Sequence, residues 1–173
     1  MTGVNNFFKV IFLACVSLCF AFRETNLNAA ISRLDLYLDK QFNERNDNKI
    51  APIVFSPDNT LVAFATSNKT IRLWNLKRRH LICEFFGHYE NINSIAFSPN
   101  SKLLVSGSSD KTVRLWDVKN GSCVHAFYGH NSEVCSVGFN PMGAQIVSMS
   151  FDGMVVIFDV FTHKCMRVFY WPL

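Results

Sequence analysis

Leu103-Leu104-Val105-Ser106-Gly107-Ser108-Ser109-Asp110-Lys111-Thr112-Val113-Arg114-Leu115-Trp116-Asp117, preceded by Gly87-His88, is the stretch that decides the fold. Two β-rich runs flank the turn formers Ser108-Ser109-Asp110-Lys111, so the stretch reads as a hairpin. Its marks return at a fixed interval. Trp74, Trp116 and Phe158 are each 42 residues apart, as are Pro57, Pro99 and Pro141, and the pairs Gly87-His88 and Gly129-His130.

Residues 50–88 align with 92–130 without a gap. The matches include Phe55/Phe97, Ser56-Pro57/Ser98-Pro99, Lys69-Thr70/Lys111-Thr112 and Arg72-Leu73-Trp74/Arg114-Leu115-Trp116. In the middle repeat the β-rich runs are Ile92–Phe97, Leu103–Ser106, Thr112–Asp117 and Cys123–Phe127, separated by turn formers. Each repeat therefore predicts four short antiparallel strands, and no stretch of residues 50–173 sustains helical spacing. A period in the low forties with G-H and W-D marks reads as one four-stranded propeller blade per repeat. The expected fold is all-β: a partial β-propeller of three blades at about 50–87, 88–129 and 130–171.

The pattern resembles the WD-repeat family over about residues 50–171. The resemblance implies a hydrogen-bonded network in each blade, built from the His of G-H, a Ser or Thr, an Asp and the Trp. The residue types suit it: a carboxylate only accepts, an indole N–H only donates, and imidazole and hydroxyl do both. His88, Ser106, Asp110 and Trp116 fill all four places in the middle repeat. The last repeat has His130, Ser148 and Asp152, with Phe158 in place of Trp. The first has Asn46, Phe64, Asn68 and Trp74, so its network is mostly lost.

His88, Ser106 and Asp110 are also the residue types of a catalytic triad. Their near-repetition as His130, Ser148 and Asp152 favours scaffolding, since an active site is seldom duplicated at every repeat. No oxyanion site is suggested, so the chain reads as a non-enzyme with no cofactor.

The resemblance also implies the partner-binding face: a protein or peptide docks on the loops between blades and on the second-hairpin turns. Those positions are Tyr89, Glu90, Asn91 and Asn93 in one blade and Asn131, Ser132, Glu133 and Cys135 in the next, with turn residues Ser67, Ser109 and Phe151. Large, rigid Tyr89 and Phe151 are the strongest anchors. Within the family, Leu103–Val118 and Phe139–Asp152 are similar to the WD-repeat scaffold of histone H3 lysine-4 methyltransferase complexes. That protein grips an arginine with an early-strand Phe, whose matching position here is Cys135.

Composition excludes other classes. Hydrophobic residues make up 49% and charged residues 17%, which fits a globular chain, and the net charge is a modest +4. The only dense basic run, Lys77-Arg78-Arg79-His80, reads as a solvated turn, and no aromatic-interleaved basic stripe points to direct nucleic-acid binding. None of the 6 cysteines forms a C-x-x-C pair, and no His stands at zinc-finger spacing from them, so no metal site is expected. They read as small, buried strand residues of a reduced compartment.

The first residues are different material. Residues 1–25 hold an apolar run, Val10–Phe22, preceded by Lys9. It fits a signal-peptide core; the other reading is a remnant of another blade or sequence from an alternative start, which gives the chain a non-native beginning. Residues 26–49 carry Leu27, Ile31, Leu34, Leu38 and Phe42 at helical spacing, then a polar linker. A cytoplasmic or nuclear setting follows from the resemblance; the secretory pathway follows from a signal-like start, and membrane contact only if that segment is retained.

Propellers close with about four to eight blades. The next Gly-His pair is due at 171–172, which read Trp171-Pro172. Three blades predict two apolar faces in water, hence a truncated or alternatively spliced product or a ring completed by self-association or another chain.

Overall fold

The computed structural model describes residues 52–170; the segment 1–25, the helix and linker expected at 26–49 (Asn46 included) and Trp171-Pro172 lie outside the described residues. Within them the chain is all-β: β1 (Ile53–Phe55), β2 (Leu61–Ala65), β3 (Ile71–Asn75), β4 (His80–Phe85), β5 (Ile92–Phe97), β6 (Leu103–Ser108), β7 (Val113–Asp117), β8 (Cys123–Phe127), β9 (Val134–Phe139), β10 (Gln145–Ser150), β11 (Met154–Asp159) and β12 (Cys165–Tyr170). They form three four-stranded sheets, β1–β4, β5–β8 and β9–β12, each with its strands in chain order and antiparallel.

Local chemistry fixes each turn. Ser56 Oγ accepts from Leu61 N at 2.9 Å, and Ser98 Oγ accepts from Leu103 N at 2.9 Å, closing the first hairpin of the first two sheets. In the third sheet Asn140 Oδ1 does this work, accepting from Ala144 N and Gln145 N. A left-handed residue recurs at each hairpin with the same interval: Asn59, Ser101 and Gly143; Lys69, Lys111 and Gly153; Arg79, Gly121 and His163. A register shift between strands three and four returns at Leu73/Trp74, Leu115/Trp116 and Ile157/Phe158. The period is thus carried by backbone geometry as well as by side chains.

The core lies between sheets. Ala63, Ala65, Ile71, Leu73 and Phe85 of the first sheet pack on Ile92, Ile95, Phe97, Leu104, Trp116 and Val118 of the second. Val105, Val113, Leu115 and Phe127 of the second pack on Val134, Val137, Ile146, Met154, Val156, Phe158 and Val160 of the third. Alternation along each strand gives the middle sheet an apolar surface on both faces. Gly107 allows the closest approach: a Cβ there would stand 2.6 Å from one methyl of Val134 and 2.8 Å from one of Val137.

The two outward faces differ, contrary to the expectation that both are open. On the first sheet Val62 and Phe64 are buried, packed with Ile53, Phe55, Trp74 and Leu76. On the third, Val147 and Met149 of β10 and Phe169 of β12 are exposed, and every residue of β12 is exposed.

The cysteines correct another expectation. Cys123 and Cys165 are exposed and Cys83 and Cys135 only half-buried. Cys83, Cys123 and Cys165 lie on the outermost strands, where a sheet has fewer neighbours to cover it; Cys135 lies on β9. The basic run Lys77–His80 sits at the β3–β4 turn, with Lys77, Arg78 and His80 exposed and Arg78 N donating to Asn75 Oδ1.

Candidate functional site

One end of the sheets gathers the β4–β5 and β8–β9 loops with the β6–β7 and β10–β11 turns. In the middle blade His88 and Ser106 are buried. His88 Nδ1 lies 2.7 Å from Asp110 Oδ2, and His88 Nε2 lies 2.7 Å from Ser106 Oγ. Trp116 Nε1 donates to Ser106 Oγ at 2.8 Å. One set of proton positions satisfies the whole chain: indole N–H to hydroxyl oxygen, hydroxyl to Nε2, Nδ1–H to carboxylate.

Asp110 then ties two segments together. Its Oδ1 accepts from Thr112 N at 2.9 Å and from Thr112 Oγ1 at 2.6 Å, holding the β6–β7 turn. Its Oδ2 accepts from Tyr89 N at 3.1 Å, holding the β4–β5 loop. Burial alone raises a carboxylate pKa, but hydrogen bonds from His88 and Thr112 and electrostatic attraction toward the His88 ring outweigh it, so Asp110 titrates well below the usual range.

The third blade departs from the expected His130–Ser148–Asp152 network. His130 Nε2 reaches Ser148 Oγ at 2.7 Å, but His130 Nδ1 is buried without a partner. Asp152 Oδ2 accepts instead from Asn131 N at 2.8 Å and Ser132 N at 3.2 Å, and Oδ1 from Met154 N at 2.8 Å. Phe158 supplies no indole proton, and Ser148 Oγ turns toward Val156 O at 3.4 Å. His130 Nε2–H then donates to the serine, leaving Nδ1 a bare acceptor that a carboxylate cannot satisfy. Burial lowers the His130 pKa, with the Asp152 charge opposing it.

These aspartates present the candidate partner residues. Tyr89 is 74% exposed and Phe151 65% exposed, and Glu90 and Asn131 are also exposed. Asn91, Asn93, Ser109, Ser132, Glu133 and Cys135 are half-buried. Several of these join blades two and three: Asn93 Nδ2 donates to Ser109 Oγ and Val134 O at 3.0 Å, and Ser109 Oγ donates to Glu133 Oε2 at 2.7 Å. Backbone bonds within each blade fix the braced loops to their turns, Ser109 N to Asn91 O at 2.8 Å and Phe151 N to Glu133 O at 3.1 Å. In the first blade Lys69 Nζ donates to Tyr89 O and pairs with Glu90 at 3.4 Å. Sequence reasoning missed this inter-blade brace, because its members come from loops whose approach depends on how the sheets stack.

The geometry bears on chemistry too. Ser106 is fully buried and accepts the indole proton, so no substrate carbonyl reaches it despite the triad-like connections. Among the described residues no three His, Cys, Asp or Glu side chains come together that could hold a metal ion. Among the described residues no helix is long and apolar enough to cross a membrane.

Two further side chains, an arginine pair, went unread in the sequence. Arg72 Nε meets Glu84 Oε1 at 3.1 Å, and Glu84 also accepts from Thr70 Oγ1. Arg114, one period later, faces Ala126 in place of that glutamate. The signal was present: a recurrent Arg inside an otherwise apolar strand, with its carboxylate partner present in only one repeat.

Comparison with known proteins agrees with this architecture. The family WD domain, G-beta repeat matches residues 48–75, 79–117 and 121–159. No curated protein sequence matches the chain. The solved structure of U3-55K is similar with a TM-score of 0.67 at 21% identity, over 73% of this chain and 41% of that one. The crystal structure of the RRP9 WD40 repeats is similar with a TM-score of 0.67 at 21% identity, over 73% of this chain and 40% of that one. The chain thus spans about two fifths of the length of these structures, and the likeness concerns fold. By its matched repeats and its three sheets, the chain belongs to the WD-repeat family.

Proposed function

We propose that this chain is a non-catalytic protein-interaction scaffold, a subunit of a multiprotein complex. It binds a protein or peptide on the face that carries Tyr89, Glu90, Asn91, Asn93, Ser109, Asn131, Ser132, Glu133, Cys135 and Phe151. The observation that carries this reading is the pairing of rigid support with exposed anchors. Asp110 and Asp152 each clamp a loop through backbone N–H groups, while Tyr89 and Phe151 stand exposed beside them. Preorganised loops lose little freedom on binding, and aromatic anchors supply contact area at low entropic cost. No arginine grip is part of this reading, because Cys135 stands where such a grip would need an aromatic ring. Affinity capture from cell extract tests the proposal: Tyr89→Ala with Phe151→Ala should deplete a defined partner set, and an unchanged set would count against face-directed recognition.

A second reading is favoured by the open face of the third sheet. Val147, Met149 and Phe169 are exposed on that face, beside the edge strand β12. That surface suits completion of the ring by a second copy or another propeller chain. The four described cysteines are free thiols, which supports a cytoplasmic or nuclear setting.

A further inference from the structure

Arg114 carries a charge that its surroundings leave unanswered. It is 9% exposed, its Nε has no hydrogen-bond partner, and no carboxylate among the described residues lies within ion-pair distance. Its guanidinium lies 5.8 Å from the ring centre of Tyr89 and 6.0 Å from that of Trp116. Aromatic faces attract a cation, yet they answer less of a buried charge than a carboxylate does. The remaining contact is with sulfur: Nη1 donates to Cys123 Sγ at 3.9 Å. Cys123 itself is exposed on β8.

The repeats supply an internal comparison. One period later the cysteine is kept as Cys165, also exposed, but the arginine is replaced by Val156. One period earlier the arginine is kept as Arg72, but it is paired with Glu84, and Leu81 replaces the cysteine. Among the described residues, only the middle blade combines an exposed thiol with a buried guanidinium that lacks a carboxylate.

We propose that Cys123 is a peroxide-sensitive modification site. The sulfur, as thiolate, attacks one oxygen of hydrogen peroxide or an organic hydroperoxide. The S–O bond forms as the O–O bond breaks, and sulfur is oxidised by two electrons while the peroxide is reduced. The departing hydroxide or alkoxide takes a proton from solvent and leaves as water or alcohol, and Cys123 becomes a sulfenic acid. Arg114 pairs with negative charge on the sulfur before attack and on the sulfenate oxygen after it. Because the same guanidinium lies against Tyr89, oxidation at Cys123 reaches the anchor of the loop face.

The test treats the whole chain with hydrogen peroxide in the presence of dimedone and quantifies the Cys123 and Cys165 adducts by peptide mass spectrometry. The wild-type chain should label Cys123 several-fold faster than Cys165. Ala126→Glu, which offers Arg114 the carboxylate that Arg72 already has, should bring the ratio toward one. Arg114→Gln should do the same by removing the charge. A wild-type ratio near one, or a ratio that survives these substitutions, overturns the proposal.

Discussion

Asp110 shows how much one side chain holds at this site, because it bonds a histidine, a threonine hydroxyl and two backbone N–H groups from separate segments. Asp110→Ala leaves those donors unmatched and should cost about 1–3 kcal/mol in chemical unfolding. Asp152→Ala should cost less, since His130 does not depend on that carboxylate. Acid sensitivity separates the two blades. The His130 pKa is depressed by burial, so its contribution is present above the ordinary histidine value of about 6.5 and is lost as pH falls through the lowered folded value. Asp110, also depressed, contributes above the ordinary carboxylate value of about 3.9 and is lost only below that. The melting temperature should therefore hold from pH 8 to 7, begin to fall below about 6.5, and fall again below about 3.9. His130→Gln should flatten part of the first fall; an unchanged profile would contradict this assignment. The residue types of the middle network were legible because all four partners are present. The missing His130–Asp152 bond was not, since losing an indole donor reorients protons two residues away.

Strands and hairpins were the most legible level, because each blade is written locally: turn formers at a fixed interval and β-rich runs between them. What the sequence pattern left open was which strand faces what. The cysteines of β4, β8 and β12 read as buried because they are small and repeated, yet the outer strand of a blade has fewer neighbours than the inner ones. The close approach of β9 to β6 likewise depends on stacking rather than on either strand alone. It rests on Gly107, where an added methyl would meet Val134 and Val137 at less than contact distance. Gly107→Ala should destabilise the chain by about 1–3 kcal/mol through overpacking, read as a lowered denaturant midpoint. Gly138→Ala on β9, where a Cβ meets nothing within 4 Å, should be far milder. Equal losses at both positions would refute the packing argument.

At the scale of the molecule, three blades stack with one outward face buried at Val62 and Phe64 and the other exposed along β10 and β12. That asymmetry was not readable from a repeat that treats every blade alike. It predicts a single sticky face rather than two, so sedimentation velocity should show concentration-dependent association that Met149→Lys with Phe169→Lys suppresses. The loop end is a separate surface, held by aspartate clamps and by the Asn93–Ser109–Glu133 brace between blades. The most direct measurement of the scaffold account is quantitative affinity capture comparing three chains: wild type, Tyr89→Ala/Phe151→Ala on the loop end, and Phe161→Ala, an exposed aromatic at the opposite turn. The account predicts that the loop-end variant loses partners that the wild-type and Phe161→Ala chains retain; equal recovery by all three would contradict it.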